Sequence, residues 1–209
     1  MNLIRLARLC VVTAAIFLPA SLLNAGLSPP GEAPTRPSLA GQLLVASPGM
    51  GDPRFYHTVI LVVRHDRNGA LGIVINRPAE DRSLASLLEA LGEKDTAVAG
   101  SVRIFAGGPV QPEIGFVLHS PEYHRSETLD IDGRVAMTSS LQILRDIASR
   151  QGPRKSLVAF GYAGWKPDQL EGELRQGAWI TAADDEKLIF DEDRDKLWEE
   201  AMKRRTQDL

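Results

Sequence analysis

The stretch of the sequence with the most scope for ligand chemistry runs from Gly161 to Trp165. It consists of Gly-Tyr-Ala-Gly-Trp, so its two glycines let a ligand approach the backbone, while Tyr162 and Trp165 offer flat faces with polar tips. Because a strand is predicted just before it, we expect a loop at a sheet edge. A structural interpretation stands beside this one: Gly161 and Gly164 permit a tight strand-to-helix turn, and Trp165 covers the core.

An arginine stands at the end of another predicted strand, in the sequence Asn76-Arg77-Pro78. A planar guanidinium at such a position can hold a carboxylate or a phosphate through two hydrogen bonds. Asn76 and Arg77 are therefore candidate ligand-binding residues. The alternative is a structural ion pair between Arg77 and an acid such as Glu171 or Glu173.

Two further segments contain candidate ligand-binding groups, one through its backbone N–H groups and the other through its side chains. Gly107 and Gly108 could form a nest of N–H groups for an anion, although the segment lacks the spacing of the dinucleotide and P-loop fingerprints. Gln169 and Glu171 lie on a short predicted helix. Glu171 would interact favourably with the helix dipole even without a ligand, so it is a candidate and not an identified acid.

The histidines are weaker candidates. His65 and His119 are predicted at strand ends, where we expect them to come near each other, whereas His57 and His124 belong to loops. Isolated histidines are more often structural than catalytic. No metal site is predicted, because the chain has no H-E-x-x-H motif and a loop containing Pro121 separates His119 from His124. No cofactor is predicted either.

Composition excludes several classes of function. The single cysteine, Cys10, lies outside the predicted domain, so that domain has no thiol for a disulfide or a nucleophile. The formal charge is -3, and removal of a leader containing Arg5 and Arg8 lowers it to -5. Such a charge repels polyanions, and no nucleic-acid partner is predicted. A serine hydrolase is disfavoured because no G-x-S-x-G elbow occurs.

The first residues resemble a signal peptide. Met1 to Arg8 carries two arginines and no acid, and Leu9 to Leu23 is almost wholly apolar. We predict a leader over residues 1–25, a proline-rich linker over 26–38 and one domain over 39–209. The protein is then exported to the periplasm, or anchored to the membrane through this leader if it is not cleaved. A misassigned start codon of a cytoplasmic protein is the alternative.

The elements that position these residues are predicted from periodicity and turn chemistry. Two strands, Thr58–His65 and Ala70–Asn76, flank an Asn-Gly turn and form a hairpin, and their continuous apolar runs predict burial on both faces. The sheet has at least six strands. Further strands are predicted at Gln42–Ala46, Val102–Ala106, Gly115–His119, Arg134–Met137, Ser156–Tyr162, Ala178–Thr181 and Lys187–Phe190.

Four helices complete the prediction. Ser83–Leu91 carries leucines at helical spacing after a serine suited to the N-cap. Ser139–Arg150 begins with a capping-box pattern, in which Gln142 follows the serine by three residues. Asp168–Gln176 is a short helix, and Asp193–Arg205 is the terminal one.

The order of these motifs resembles the YqgE/AlgH family. The resemblance covers roughly residues 39 to 201 and implies an α/β (α+β-like) single domain with a bent, bifurcated, mainly antiparallel β-sheet that forms a pseudo-barrel flanked by helices. The chain departs from the family in its leader, in Gln142 where many members carry an acid, and in Val63 where many carry cysteine. The matching segments are Ser47-Pro48, Asp52-Pro53, His65, Asn68 to Gly72, Asn76 to Pro78, Gly107 to Val110, Gly115 to His119, Gly161 to Trp165, Gln169 to Glu171 and Trp179.

The resemblance implies no reaction, because the family's biochemical role is largely unassigned and some members are named transcriptional regulators. The first hypothesis is a non-catalytic binding or regulatory module for a small ligand or a protein partner, with the candidate motifs clustered. The second is an enzyme that uses Arg77 for substrate orientation and Glu171, His65 or His119 for proton transfer. The third, a DNA-binding regulator, lacks a basic recognition helix.

Overall fold

The computed structural model describes residues 37–93, 98–190 and 193–206. Residues 37–209 form one compact unit. The predicted leader and nearly all of the predicted linker lie outside the described residues, so both stay predictions. Within the described residues, no helix is both long and apolar enough to cross a membrane.

A curled, mainly antiparallel sheet forms a half-barrel with helices packed around it, which confirms the expected single α/β domain. In the described chain the sheet has ten strands, and five α-helices accompany it. The strands are β1 (Leu43–Ala46), β2 (Val59–Asp66), β3 (Gly69–Val74), β4 (Pro78–Ser83), β5 (Ser101–Ala106), β6 (Val110–His119), β7 (Thr128–Asp130), β8 (Ala136–Thr138), β9 (Ser156–Trp165) and β10 (Trp179–Ala182). The helices are α1 (Leu84–Ala90), α2 (Gln142–Ala148), α3 (Gln169–Arg175), α4 (Glu186–Phe190) and α5 (Leu197–Lys203).

The central hairpin is formed as predicted. Strands β2 and β3 pair antiparallel around a tight turn, and every residue from Val59 to Val63 is buried. Alternate side chains of β2 enter two different apolar clusters: Leu61 packs in one, and Ile60 and Val62 pack in the other. Along Val59 to Val63 the hairpin is therefore covered on both faces, because this run has no polar side chain to face water.

The sheet divides at β9, which pairs with three strands. Its first half, up to Phe160, lies between β5, which is parallel, and β6, which is antiparallel, whereas Ala163 to Trp165 pair with β3. The change of partner occurs at Gly161, whose φ is +75°. The predicted loop over Gly161–Trp165 is therefore wrong: these residues continue the strand, because Tyr162 pairs with β6 and Ala163 to Trp165 pair with β3.

Two of the predicted helices are found in their places, but only the first has the predicted N-terminal cap. Ser83 caps α1 as expected, accepting a hydrogen bond from the Ser86 N–H. The capping box predicted for α2 is not formed, since that helix begins at Gln142 and has no side-chain cap. The Ser140 hydroxyl instead accepts the Gln142 N–H at 3.3 Å, a local turn that competes with the predicted cap.

The remaining differences occur in short or polar segments. Lys187–Phe190, predicted as a strand, lies in helix α4, where the Asp185 carboxylate accepts the Leu188 N–H at 2.8 Å. The terminal helix is shorter than predicted and begins at Leu197. Strand β4 was not predicted because its sequence, Pro-Ala-Glu-Asp-Arg-Ser, has no apolar alternation; it is an exposed edge strand that pairs with β5.

Candidate functional site

The point where the sheet divides carries a depression of about 240 Å³, which we call the branch pocket. It brings together two of the predicted residues, Arg77 and Gly108. Arg77 follows β3 and its carbonyl accepts the Ala106 N–H at 2.9 Å, which fixes it beside the end of β5. The pocket is lined by Arg54, Phe55, Val74, Arg77, Ala106, Gly108 and Pro109.

The guanidinium of Arg77 is partly buried and carries no counter-ion within the described chain. It donates to the carbonyl oxygen of Tyr56 at 3.1 Å, and burial lowers its pKa below the usual arginine value. The alternative of an ion pair between Arg77 and Glu171 or Glu173 is wrong, because the first carboxylate pairs with His65 and the second accepts two indole N–H groups. The positive charge of Arg77 therefore faces the pocket without a carboxylate.

The two glycines of the pocket differ in what their backbone can offer. The Gly107 N–H donates to the Phe160 carbonyl at 2.7 Å, and its own carbonyl accepts the Val74 N–H at 2.8 Å. Gly107 is thus part of the sheet, and its N–H is not available to an anion. Gly108 lies so close to β9 that a Cβ there would stand 2.1 Å from the carbonyl carbon of Tyr162. Only glycine permits this approach.

Asn76 fixes the loop that passes in front of the pocket. Its side-chain amide donates to the His57 carbonyl at 2.9 Å, and its side-chain oxygen accepts the Val59 N–H at 2.9 Å. Both hydrogen-bonding groups of the side chain are used in this way. Asn76 therefore positions the residues around Tyr56.

Sequence reasoning missed an aromatic stack beside Arg77. The rings of Tyr56 and His57 lie 4.0 Å apart at 16°, and those of His57 and Trp198 lie 4.1 Å apart at 19°. The Trp198 indole donates to the Ala46 carbonyl at 2.8 Å, which ties the stack to β1. The loop sequence Asp-Pro-Arg-Phe-Tyr-His, in which three aromatic rings follow an arginine, was the available signal.

A second group of predicted residues lies at the C-terminal end of β9. Trp165 and Trp179 both donate their indole N–H to one oxygen of Glu173 at 2.8 Å, and Gln169 donates to its other oxygen at 2.8 Å. Trp165 is 7% exposed, and Leu170 is 1% exposed. These contacts fasten α3 onto the sheet, so the flat face and polar tip of Trp165 are both used inside the protein. The contacts of Trp165 with Glu173 and Trp179 were not predicted from the sequence.

His65 and Glu171 form a tether for the chain that enters the domain. The Nδ1 atom of His65 accepts the Leu39 N–H at 3.1 Å, so its Nε2 carries the proton and donates to Glu171 at 3.2 Å. The Ser38 hydroxyl donates to the His65 carbonyl at 3.0 Å. Both ring nitrogens are thereby occupied by protein groups.

His119 is fully buried and far from His65. Its Nδ1 donates to the Ser120 carbonyl and its Nε2 accepts from the Thr138 hydroxyl, each at 2.9 Å. Burial lowers its pKa, which favours the neutral ring. Register places His119 opposite Ser156 and the His65 pairing at Trp165, roughly 30 Å apart along β9. The expectation that the two histidines meet is wrong.

Tyr162 and Gly164 share the opposite face of β9 from Trp165. The Tyr162 ring meets Phe116 edge to face at 6.1 Å, and a Cβ at Gly164 would approach that ring at 3.2 Å. Tyr162 also packs against the larger apolar cluster of the half-barrel. Its ring therefore points into the fold and not into the branch pocket, which its backbone borders through Gly108.

A larger depression, of about 680 Å³, lies elsewhere along β4 and β5. Both of its arginines have partners within the fold: Arg103 pairs with Asp81 at 2.8 Å, and Arg194 lies over the Phe105 ring and donates to the Leu188 carbonyl. The branch pocket is the better candidate for an anion because Arg77 has no carboxylate partner among the described residues. In the part of the chain that the structure describes, no group of three or more potential metal ligands is assembled.

The chain matches one family model and several bacterial proteins of similar sequence. A family model described as AlgH-like matches residues 43–209. A UPF0301 protein of Rhodospirillum rubrum is 46% identical over 153 residues, which cover 73% of this chain and 80% of that protein. A UPF0301 protein of Rhizorhabdus wittichii is 45% identical over 166 residues, which cover 79% and 89%.

Two solved structures share the fold. The solution structure of AlgH from Pseudomonas aeruginosa is similar with a TM-score of 0.70 and 40% identity, covering 83% of this chain and 90% of that one. The crystal structure of protein DIP2367 from Corynebacterium diphtheriae has a TM-score of 0.64 and 19% identity, covering 82% and 89%. The second likeness concerns the fold alone.

Proposed function

This chain belongs to the AlgH-like family, and we propose that it is a non-catalytic binding module that holds a small anionic ligand in the branch pocket. The observation that carries the proposal is the charge of Arg77, which is partly buried in the pocket and has no carboxylate partner among the described residues. A guanidinium in this state is suited to a carboxylate or a phosphate, since its parallel N–H groups match their oxygens.

The rest of the lining supports an anion of modest size. Arg54 adds a second guanidinium, although Asp52 offsets its charge through an ion pair at 2.7 Å. Gly108 and Pro109 leave room beside Arg77, because neither has a long side chain. A volume of about 240 Å³ lies below the roughly 300–1,000 Å³ of pockets that enclose drug-sized ligands. The pocket therefore suits a charged group, not a whole large molecule.

The geometry gives less support to the enzyme hypothesis. A proton-transfer group must lie within hydrogen-bond reach of the substrate that Arg77 would orient. Arg77 lies beside Ala106, which pairs with Phe160, whereas the His65–Glu171 pair lies near Trp165. Five residues of β9 separate the two places, roughly 16 Å. His119 lies on β6, fully buried and opposite Ser156, which is four residues of β9 from Phe160, roughly 13 Å.

The pocket is tested by titrating the isotope-labelled protein with inorganic phosphate, followed by amide chemical shifts and calorimetry. We expect the amides of Arg77, Gly108 and Tyr56 to shift. Arg77→Gln is expected to weaken binding about ten- to hundredfold, because it removes a charged hydrogen-bond donor. Arg77→Lys is expected to be intermediate, since an ammonium keeps the charge and loses the fork of donors.

Arg64→Gln is the matched control, because it removes an equal charge from an exposed arginine outside the pocket. Its affinity for phosphate is expected to equal that of the unaltered protein. Thermal unfolding of each variant checks that the domain is intact. Equal phosphate affinities for the Arg77→Gln and Arg64→Gln proteins would contradict the proposal that Arg77 binds the anion.

A further inference from the structure

We propose that the ligand of the branch pocket is an aromatic anion, with its charged group on Arg77 and a planar ring stacked on Tyr56. The inference rests on the proposed function, since it takes Arg77 as the binding group for the charge. The ligand class is a ring that carries a phosphate or a carboxylate, and a nucleoside monophosphate is its simplest probe.

The ring of Tyr56 is the open end of the aromatic stack. His57 covers one of its faces at 4.0 Å, and Trp198 covers the far side of His57. Tyr56 is 54% exposed, although large aromatic side chains usually find cover in a fold. A ligand ring placed on Tyr56 extends the stack by one member, in the offset or parallel geometry that aromatic rings prefer.

The loop holds Tyr56 in place before any ligand arrives. His57 has a φ of +54°, a left-handed conformation that costs energy for a residue with a side chain. Asn76 maintains it by bonding the His57 carbonyl and the Val59 N–H. Strain that the surrounding structure enforces is common at ligand sites, since it fixes side chains in the binding geometry.

The charge of Arg77 lies against the backbone of the residue that carries the exposed ring. The Arg77 guanidinium donates to the carbonyl of Tyr56 itself, at 3.1 Å. The branch pocket, of about 240 Å³, is too small to enclose a phosphate together with a sugar and a base. The part of the ligand that carries the ring must therefore lie outside the pocket, on the side where Tyr56 is exposed.

Calorimetry of the full chain with adenosine monophosphate, ribose 5-phosphate and adenosine tests the inference. We expect adenosine monophosphate to bind about tenfold more tightly than ribose 5-phosphate, because stacking of one base on an aromatic ring supplies this much affinity. Adenosine without phosphate is expected to bind weakly. Tyr56→Ala removes the tenfold difference and leaves ribose 5-phosphate binding unchanged, whereas Tyr56→Phe keeps the difference.

Leu129→Ala is the matched control, since Leu129 is a similarly exposed apolar side chain, 43% accessible, on β7. Equal affinities for adenosine monophosphate and ribose 5-phosphate, both lost in Arg77→Gln, would overturn the ring inference and leave the anion site standing. Failure of both phosphates to bind would overturn the proposed function and this inference together. Tight binding of adenosine alone would contradict the role of Arg77.

Discussion

One buried carboxyl group, that of Asp184, lacks a full set of partners in the described structure. Its Oδ1 atom pairs with Arg134 at 2.5 Å, while its Oδ2 atom is buried without a hydrogen bond. Arg134 also pairs with Asp132 at 2.6 Å, so two acids share one cation. Burial, followed by the charge of Asp132, raises the pKa of Asp184 to about 6.

This pKa predicts how Asp184 affects stability as the pH changes. The folded-state pKa lies above the unfolded value of 3.8, so the contribution of Asp184 is fully present below about pH 4 and is lost as the pH rises through about 6. Asp184→Asn removes this loss. The free energy of unfolding of the variant, relative to the unaltered protein, should rise between pH 4 and pH 7 by up to about 3 kcal/mol. Urea denaturation at each pH measures it.

Glu113→Gln is the control for that experiment, because it removes a negative charge from an exposed position. Its effect on stability is expected to be small at every pH. The new amide at position 184 can also change the free energy of unfolding by an amount that does not depend on pH. Such a change shifts the whole plot of unfolding free energy against pH and leaves its slope unchanged. A difference between Asp184→Asn and the unaltered protein that stays constant from pH 4 to pH 7 would contradict the raised pKa.

Among the elements, β9 decides how the sheet divides, and Gly161 is the residue at the division. Its φ of +75° is left-handed, and a Cβ there would lie 2.4 Å from the Gly108 carbonyl oxygen. The backbone at Gly161 is therefore in contact with the backbone at Gly108, in the segment that joins β5 to β6. A side chain at this position must push the strands apart or change their register.

Comparison of two glycines separates the effect of conformation from that of contact. Gly177 has nearly the same φ, +71°, with open space around it. Gly177→Ala is expected to cost about 1–2 kcal/mol, the strain of the left-handed backbone. Gly161→Ala is expected to cost about 2–5 kcal/mol, because overpacking against backbone is added. Chemical denaturation measures both, and equal losses would show that contact at the branch is unimportant.

Elements with strong local signals were predicted well from the sequence. The hairpin of β2 and β3 follows from an Asn-Gly turn between continuous apolar runs, and α1 follows from Ser83 and its spaced leucines. Helix α4 was predicted as a strand, because four apolar and charged residues carry too little periodicity to distinguish the two. Local patterns fail where an element is short and its partners are distant.

At the scale of the whole molecule, the compartment is the property that limits all partners. We expect the protein to be exported, with a mature N-terminus near Gly26, because the first residues resemble a signal peptide. Fractionation of the host cells, with mass spectrometry of the N-terminal peptide, tests this. A soluble cytoplasmic protein that lacks residues 1–25 would indicate a misassigned start and contradict export.

The sequence by itself determined the family, the α/β class and the candidates Arg77 and Gly108. The order of motifs and the residues of tight turns are read along the sequence, so they can be recognised without knowing which distant residues are in contact. Only the tertiary structure decided that Arg77 has no acid partner among the described residues, that Trp165 is bonded to Glu173 and that the backbone of Tyr56 contacts Arg77. These facts depend on contacts between residues far apart in the chain, such as Trp198 with Ala46, and folding alone brings such residues together.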